Sequence, residues 1–214
     1  LSMTGLTLLV GFVPLLWISA SYDDTRRSWW RMFGWATLAF VLWNALTIWW
    51  IWYATPVGPP AATLASTTMN MIAFMLFHTV SKKAPKALAY VTLVTAWIAT
   101  EYWYTVGDFS WPWLILGNGF SHEVWAVQWY EYTGVFGGTL WVLLSNILIF
   151  EALQARRSTS RWAAAACSVA LPMIASLCIW QSWEQPDEGT ARVSVIQPNV
   201  DCYDKFHGDT QRQE

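Results

Sequence analysis

Charge is what this sequence has least of. Asp, Glu, Lys and Arg make up 12% of its 214 residues, about half the roughly 25% of an ordinary soluble domain, so little is available to cover a water-facing surface. The formal net charge is −2 and the basic residues form no large block, which excludes the electrostatic footprint of a nucleic-acid-binding protein. Cysteine is scarce too: Cys167, Cys178 and Cys202 are odd in number and lack a C-x-x-C spacing, so neither a closed disulfide framework nor a zinc site is implied. Cys167 and Cys178 lie in apolar runs, where a free thiol is expected to pack as a small hydrophobe. The sequence also lacks a glycine-rich phosphate loop, a serine nucleophile elbow, an H-E-x-x-H spacing and paired carboxylates within an apolar run, so no metal or cofactor is implied. Leu1 already stands in an apolar run with no basic segment before it and no small-residue cleavage site after it. That does not read as a signal peptide, and the true N-terminus is expected upstream.

What is abundant is apolar and aromatic: 55% hydrophobic residues, 17% aromatic, 18 Trp. Trp and Tyr favour the membrane interface, where the ring is buried and its N–H or O–H stays wet. A helix needs about 20 mostly apolar residues to cross a bilayer core, and six stretches meet that length: 1–20, 32–54, 61–80, 87–104, 134–154 and 162–183. Lipid offers backbone amides no partners, so spanning segments are helical unless they close a barrel, and these runs lack the alternation of barrel strands. The expected fold is an all-α polytopic membrane bundle of about six transmembrane helices over 1–184, followed at 185–214 by the start of a second, soluble domain.

The basic residues support this division. Arg26, Arg27 and Arg31 follow the first run, Lys82, Lys83 and Lys86 the third, and Arg156, Arg157 and Arg161 the fifth, while 55–60 and 105–133 contain no Lys or Arg. Positive residues mark the cytoplasmic side, which places 105–133 and everything after Trp183 outside it. The 105–133 connection is far longer than the usual 4–6 or so residues and is punctuated by Pro112, Gly117 and Gly119. It is expected either to dip into the interface with its Trp rings at headgroup depth or to seal the bundle as a plain cap. Beyond it, "EQPDEGTA" reads as a linker, and "RVSVIQPNV" as a core strand ended by Pro198 and Asn199.

Few residues suggest chemistry. Asn70 and His78, eight apart, share a helix face and are expected to point into the bundle, with His78 hydrogen-bonded near the helix end. Glu101 needs water, a partner or a headgroup. His122, Glu123 and Glu131 lack metal-ligand spacing. Cys202 lies near Lys205, which could lower its pKa, but no base is placed to activate it.

Two stretches resemble the bacterial apolipoprotein N-acyltransferases. The first is "EYWYTVGDFSWPWLILGNGF" running on to "VQWYEYTGVFGGTLWVLLSNILIFEAL", similar to the family's Glu, Pro-Trp-Leu, Leu-Gly, Gln and Gly-x-x-Gly before a helix. The second is "VSVIQPNVDCYDKF", similar to the first strand of the family's α/β nitrilase-like (carbon-nitrogen hydrolase) domain. The resemblance implies a multi-pass protein of the bacterial inner membrane. It would transfer an acyl chain from a phospholipid donor to the N-terminal diacylglyceryl-cysteine of a lipoprotein acceptor, through a thioester on a Glu-Lys-Cys triad. A thiolate is a strong nucleophile, Glu can take its proton and Lys can stabilise the oxyanion. No residue here matches a triad position: the Glu is expected past Glu214, and neither Cys202 nor Lys205 corresponds, so this stretch alone is expected to be inactive. The resemblance assigns lipid contact to Trp111, Pro112, Trp113 and Leu116, the junction with the outer domain to Gln128 and Glu131, and the substrate mouth to Phe206. Phe206 stands where many members carry Trp, and Tyr104 where many carry Arg. The rival readings are a transporter, expected to pair charges at the midplane, and a non-catalytic membrane anchor.

Overall fold

Among the described residues, helices run through each of the six apolar stretches. The computed structural model describes residues 5–106, 111–184, 189 and 193–197. The α-helices among them are α1 (Leu8–Gly11), α2 (Val13–Ser21), α3 (Arg26–Ile48), α4 (Gly58–Lys83), α5 (Lys86–Val106), α6 (Tyr130–Gln154) and α7 (Thr159–Ser182). Four helical segments are long and apolar enough to cross a membrane: Arg26–Tyr53, Gly58–Lys83, Tyr130–Gln154 and Thr159–Ser182. The first stretch is shorter, Gly5–Ser21, and α5, although 21 residues long, is not among the four.

Local chemistry sets the helix ends, several of which differ from the sequence reading. α3 begins at Arg26 because Thr25 caps it, its hydroxyl accepting from the Ser28 N–H at 3.2 Å, which satisfies one of the orphan donors of a first turn. The Ser28 and Thr25 hydroxyls both donate to the Asp23 carboxylate and hold it below the usual carboxylate range. α3 then tightens into a 3-10 stretch, Trp49–Tyr53. α4 starts with Pro59 and Pro60 in its first turn, where a missing N–H costs nothing.

The break at Phe12 between α1 and α2 is held from outside. Asn146 of α6, fully buried, accepts from the Phe12 N–H at 2.7 Å and donates to the Leu8 and Val142 carbonyls at 2.7 and 2.8 Å. Replacing it by Leu leaves the Phe12 amide and Leu8 carbonyl unpaired where water cannot reach. We expect Asn146→Leu to lower stability by about 2 kcal/mol, read by thermal unfolding in detergent, with faster amide exchange at Phe12.

α4 packs between α3 and α5, while α6 packs on α1, α2, α5 and α7. The centre is aromatic: Phe12 meets Trp97 edge-on at 4.8 Å, and Phe40 lies 5.7 Å from Trp97 and 5.8 Å from Phe74, the tilted arrangements that ring quadrupoles prefer. At one end the basic residues tie the loops together. Lys82 donates to the Ser19 and Tyr22 carbonyls at 2.6 and 2.8 Å. Glu151 takes Lys86 at 2.9 Å, the Tyr90 hydroxyl at 2.5 Å and Arg161 at 3.1 Å. His78 is buried and shares a 2.7 Å hydrogen bond with the Ser19 hydroxyl.

Two sequence expectations are corrected. Cys167 and Cys178 are exposed rather than packed inside, because α7 buries little of itself, Ala165 and Ser176, and turns most of its apolar surface outward. No strand forms among the described residues, and Val193, Val195 and Ile196 are exposed: a β-branched run has no ladder without a partner, and no described residues supply one. Residues 1–183 and 184–214 are separate units. Most of the linker, Pro198, Asn199, Cys202, Lys205 and Phe206 lie outside the described residues.

Candidate functional site

At the end of the bundle opposite the basic residues, the chain between α5 and α6 folds into a cap of three short 3-10 turns, Pro112–Leu114, Leu116–Phe120 and Val124–Ala126. The long 105–133 connection therefore has structure of its own, apart from residues 107–110, which lie outside the described residues. Its apolar side points inward: Ile115, Leu116, Phe120 and Ala126 are buried, and Phe120 stacks on Trp141 of α6 at 4.8 Å.

Glu101 is the anchor. It is 3% exposed, and its carboxylate accepts from the Trp97 indole N–H at 3.0 Å, the Leu116 backbone N–H at 2.8 Å and the Thr139 hydroxyl at 2.5 Å. A carboxylate this deep needs such donors, because taking it out of water otherwise costs several kcal/mol or more. Of the partners that its position required, the structure supplies protein donors from α5, the cap and α6. The same contact continues outward: Gly117 N–H donates to the Thr139 hydroxyl at 3.3 Å, and the Tyr130 hydroxyl donates to the Gly117 carbonyl at 2.9 Å.

Glycines make this approach possible. A Cβ on Gly117 would lie 2.0 Å from the Val135 carbonyl oxygen, and one on Gly138 would lie 1.7 Å from the Tyr130 hydroxyl and 2.8 Å from the Gly117 Cα. Gly134 has φ +64 and breaks the helical geometry near the start of α6, a conformation that glycine adopts without penalty. Elsewhere the cap is fixed by Glu123, which accepts from the Gly5 N–H at 3.3 Å. Ser176 of α7 accepts from the Gln128 N–H and donates to the Trp125 carbonyl, both at 2.7 Å.

The expected contact residues divide between two surfaces. Trp111 is half-buried, its backbone N–H donating to the Tyr104 carbonyl at 2.8 Å. Pro112, also half-buried, opens the next turn. Trp113 is 60% exposed and meets Trp50 edge-on at 5.8 Å. Leu116, which the resemblance assigned to lipid contact, is 1% exposed and belongs to the core. The turn that carries it is drawn inward by its own amide on Glu101. Gln128 is half-buried with its side-chain amide on the Val124 carbonyl at 2.8 Å, and Glu131 is exposed. His122 is exposed as well, whereas Glu123 turns inward. Thr139, Tyr130 and Ser176 were not expected at the site. Each is one hydroxyl in an apolar helix, and its role depends on a contact distant in sequence. The buried Glu101 carboxylate thus serves the structure of the cap, which leaves Trp113, Val124 and Trp125 exposed.

The sequence model of the apolipoprotein N-acyltransferase N-terminal domain matches residues 4–148, which include α1 to α5, the cap and most of α6. A curated protein from Chlorobaculum tepidum named apolipoprotein N-acyltransferase is 28% identical over 212 residues. The match covers 93% of this chain and 38% of that protein, so the chain spans well under half the length of its relative. No solved structure matches it.

Proposed function

Because the chain belongs to the apolipoprotein N-acyltransferase family, we propose that it forms the membrane platform of an enzyme that moves an acyl chain from a phospholipid to the N-terminal diacylglyceryl-cysteine of a lipoprotein. The cap carries this reading. Donor and acceptor are both held in the bilayer by their own chains, and a reaction between them needs an apolar surface fixed at the membrane boundary. Trp113 beside Trp50, with Val124 and Trp125, has the composition of such a surface, since Trp rings settle at headgroup depth.

In this reading Trp111, Pro112 and Trp113 guide the donor lipid, Leu116 holds their turn against the bundle, and Gln128 and Glu131 border the outer domain, where Phe206 lies near the substrate mouth. The transfer itself would fall to the Glu-Lys-Cys triad that the resemblance implies, to which this reading assigns none of the residues above. The cap end is the extracytoplasmic end, because the basic loops lie at the other.

The test is single-turnover acylation by the full-length protein, with radiolabelled phosphatidylethanolamine as donor and a diacylglyceryl peptide as acceptor. Wild type is expected to transfer label to the peptide amine. Trp113→Ala is expected to slow acyl-enzyme formation about tenfold and leave the second step unchanged. Absence of transfer by the wild type would remove the reaction; an unchanged first step in the variant would remove the cap from it.

A further inference from the structure

α7 is attached to its surroundings at few points, and they fall on either side of Pro172, which lies inside the helix. Proline has no N–H, so the carbonyl four residues back, that of Ser168, loses its helical donor. The Trp141 indole N–H of α6 takes that place, donating to the Ser168 carbonyl at 2.8 Å. Ala165, on the same side of the proline, is buried. The inner part of α7 is thus held by α6.

One turn past the proline the attachment changes. A serine in a helix usually donates to a carbonyl three or four residues back, and Ser168 and Ser182 do so, to the Ala165 and Ile179 carbonyls at 2.8 and 3.0 Å. Ser176 instead reaches out. It is fully buried, and its hydroxyl both accepts from the Gln128 amide and donates to the Trp125 carbonyl at 2.7 Å. Among the described residues, the hydrogen bonds between the cap and α7 both end on this one side chain. They hold the third turn of the cap, Val124–Ala126, whereas the turn after Trp113 is held by Glu101 through the Leu116 amide. The exposed side chains of the cap therefore stand on two mounts, Trp113 on Glu101 and Val124 with Trp125 on Ser176.

We propose that Pro172 is a hinge and Ser176 a clamp, so that the outer arm of α7, residues 173–182, and the third turn of the cap move as one body and set the place of Val124 and Trp125 relative to Trp113. A helix that lacks one rung of its ladder bends most easily there. The arm ends at Ser182, beside Trp183, the last residue of the first unit, from which the chain runs on into residues 184–214. A displacement of that chain is passed by the arm to Trp125 and Gln128, and Ser176 is a positioning residue for the exposed edge of the cap. Its effect on acyl transfer rests on the platform reading; the mechanical link needs no turnover and is tested apart from it.

The experiment is amide hydrogen exchange on the full-length protein in nanodiscs, read at Ala126 and Val127, whose N–H groups are bonded inside the third turn to the Glu123 and Val124 carbonyls. Ser176→Ala should speed both about tenfold, the scale of two hydrogen bonds between membrane helices, and leave Leu116 and Gly117 unchanged. Pro172→Ala restores the missing rung and keeps the Trp141 bond, since a carbonyl has two lone pairs. It should slow exchange at Ala126 and Val127 about fivefold, the scale of one net hydrogen bond, and lose this effect when combined with Ser176→Ala. No slowing by Pro172→Ala, the same slowing without Ser176, or faster exchange at all four amides alike in Ser176→Ala would overturn the proposal. In single-turnover acylation, Ser176→Ala should raise the phosphatidylethanolamine fraction needed for half-maximal acyl-enzyme formation about fivefold, with the maximal rate and the second step unchanged. An unchanged half-saturation would remove the positioning role, and absence of transfer by the wild type would remove the platform reading while the exchange results stand.

Discussion

Glu101→Ala is expected to loosen the cap and cost about 3 kcal/mol of stability. The change strands three buried donors at once, the Trp97 indole, the Leu116 amide and the Thr139 hydroxyl, and each stranded donor costs about 1–3 kcal/mol where water cannot reach it. Hydrogen bonds between membrane helices average only about 0.6 kcal/mol, because the unfolded chain in lipid finds other partners. That average keeps the expectation near the low end of the sum. Glu101→Gln keeps one acceptor oxygen and most of the volume, so it should lose about 1 kcal/mol. Thermal unfolding in detergent gives the ranking, and amide exchange at Leu116 and Gly117 locates the damage. Both amides should exchange faster in the Ala variant while those in the middle of α4 keep their protection. If Glu101→Ala unfolds no more easily than Glu101→Gln, the carboxylate does not anchor the cap. If transfer by the full-length protein also falls in proportion to cap opening and recovers in the Gln variant, Glu101 acts as a positioning residue for the aromatic surface.

The contrast between Glu101 and the helices around it shows what the sequence could reveal. Helices were legible because their signals are local: runs of apolar residues and basic residues in alternate loops. Their ends were less so. The hydropathy of α6 reads from Gly134, whereas the helix begins at Tyr130 and carries its non-helical glycine inside. The first stretch is broken at Phe12 by an asparagine 134 residues away, which no local pattern announces. The cap is the extreme case. Its residue types suggested the membrane boundary, but its fold depends on Glu101 reaching an amide 15 residues on and a hydroxyl 38 residues on. Leu116 shows the consequence: an apolar residue beside two tryptophans reads as one more lipid contact until its amide is seen to be tied to a buried carboxylate. The run at Val193 shows the opposite failure, since β-branched alternation states a preference and cannot supply the partner strand that would realise it.

Gly117→Ala should be the most damaging single-methyl addition in the cap. The new Cβ would stand 2.0 Å from the Val135 carbonyl oxygen and 2.8 Å from a Val135 methyl, and the carbonyl belongs to helix backbone, which cannot rotate away as a side chain would. Relief must come from moving the Leu116–Phe120 turn off α6. That movement breaks the Tyr130 and Thr139 contacts to Gly117 and draws Leu116 and Phe120 partly out of the core. Overpacking of this kind costs about 1–3 kcal/mol, and the lost hydrogen bonds push the expected value toward about 3 kcal/mol. The control is Gly34→Ala, inside α3 with nothing near the added methyl, where exchanging glycine for the best helix former should stabilise by up to about 1 kcal/mol. Gly117 does not have a positive φ, so no left-handed backbone strain adds to the contact of the new methyl. Opposite signs are the expected result, and equal effects would mean that the cap does not rest on α6 at Gly117. Because the cap turns Trp113 outward from the same segment that Gly117 lets approach the helix, a lifted turn should also slow the first acylation step as Trp113→Ala does. The one glycine would then couple the packing of the bundle to the surface that the membrane meets.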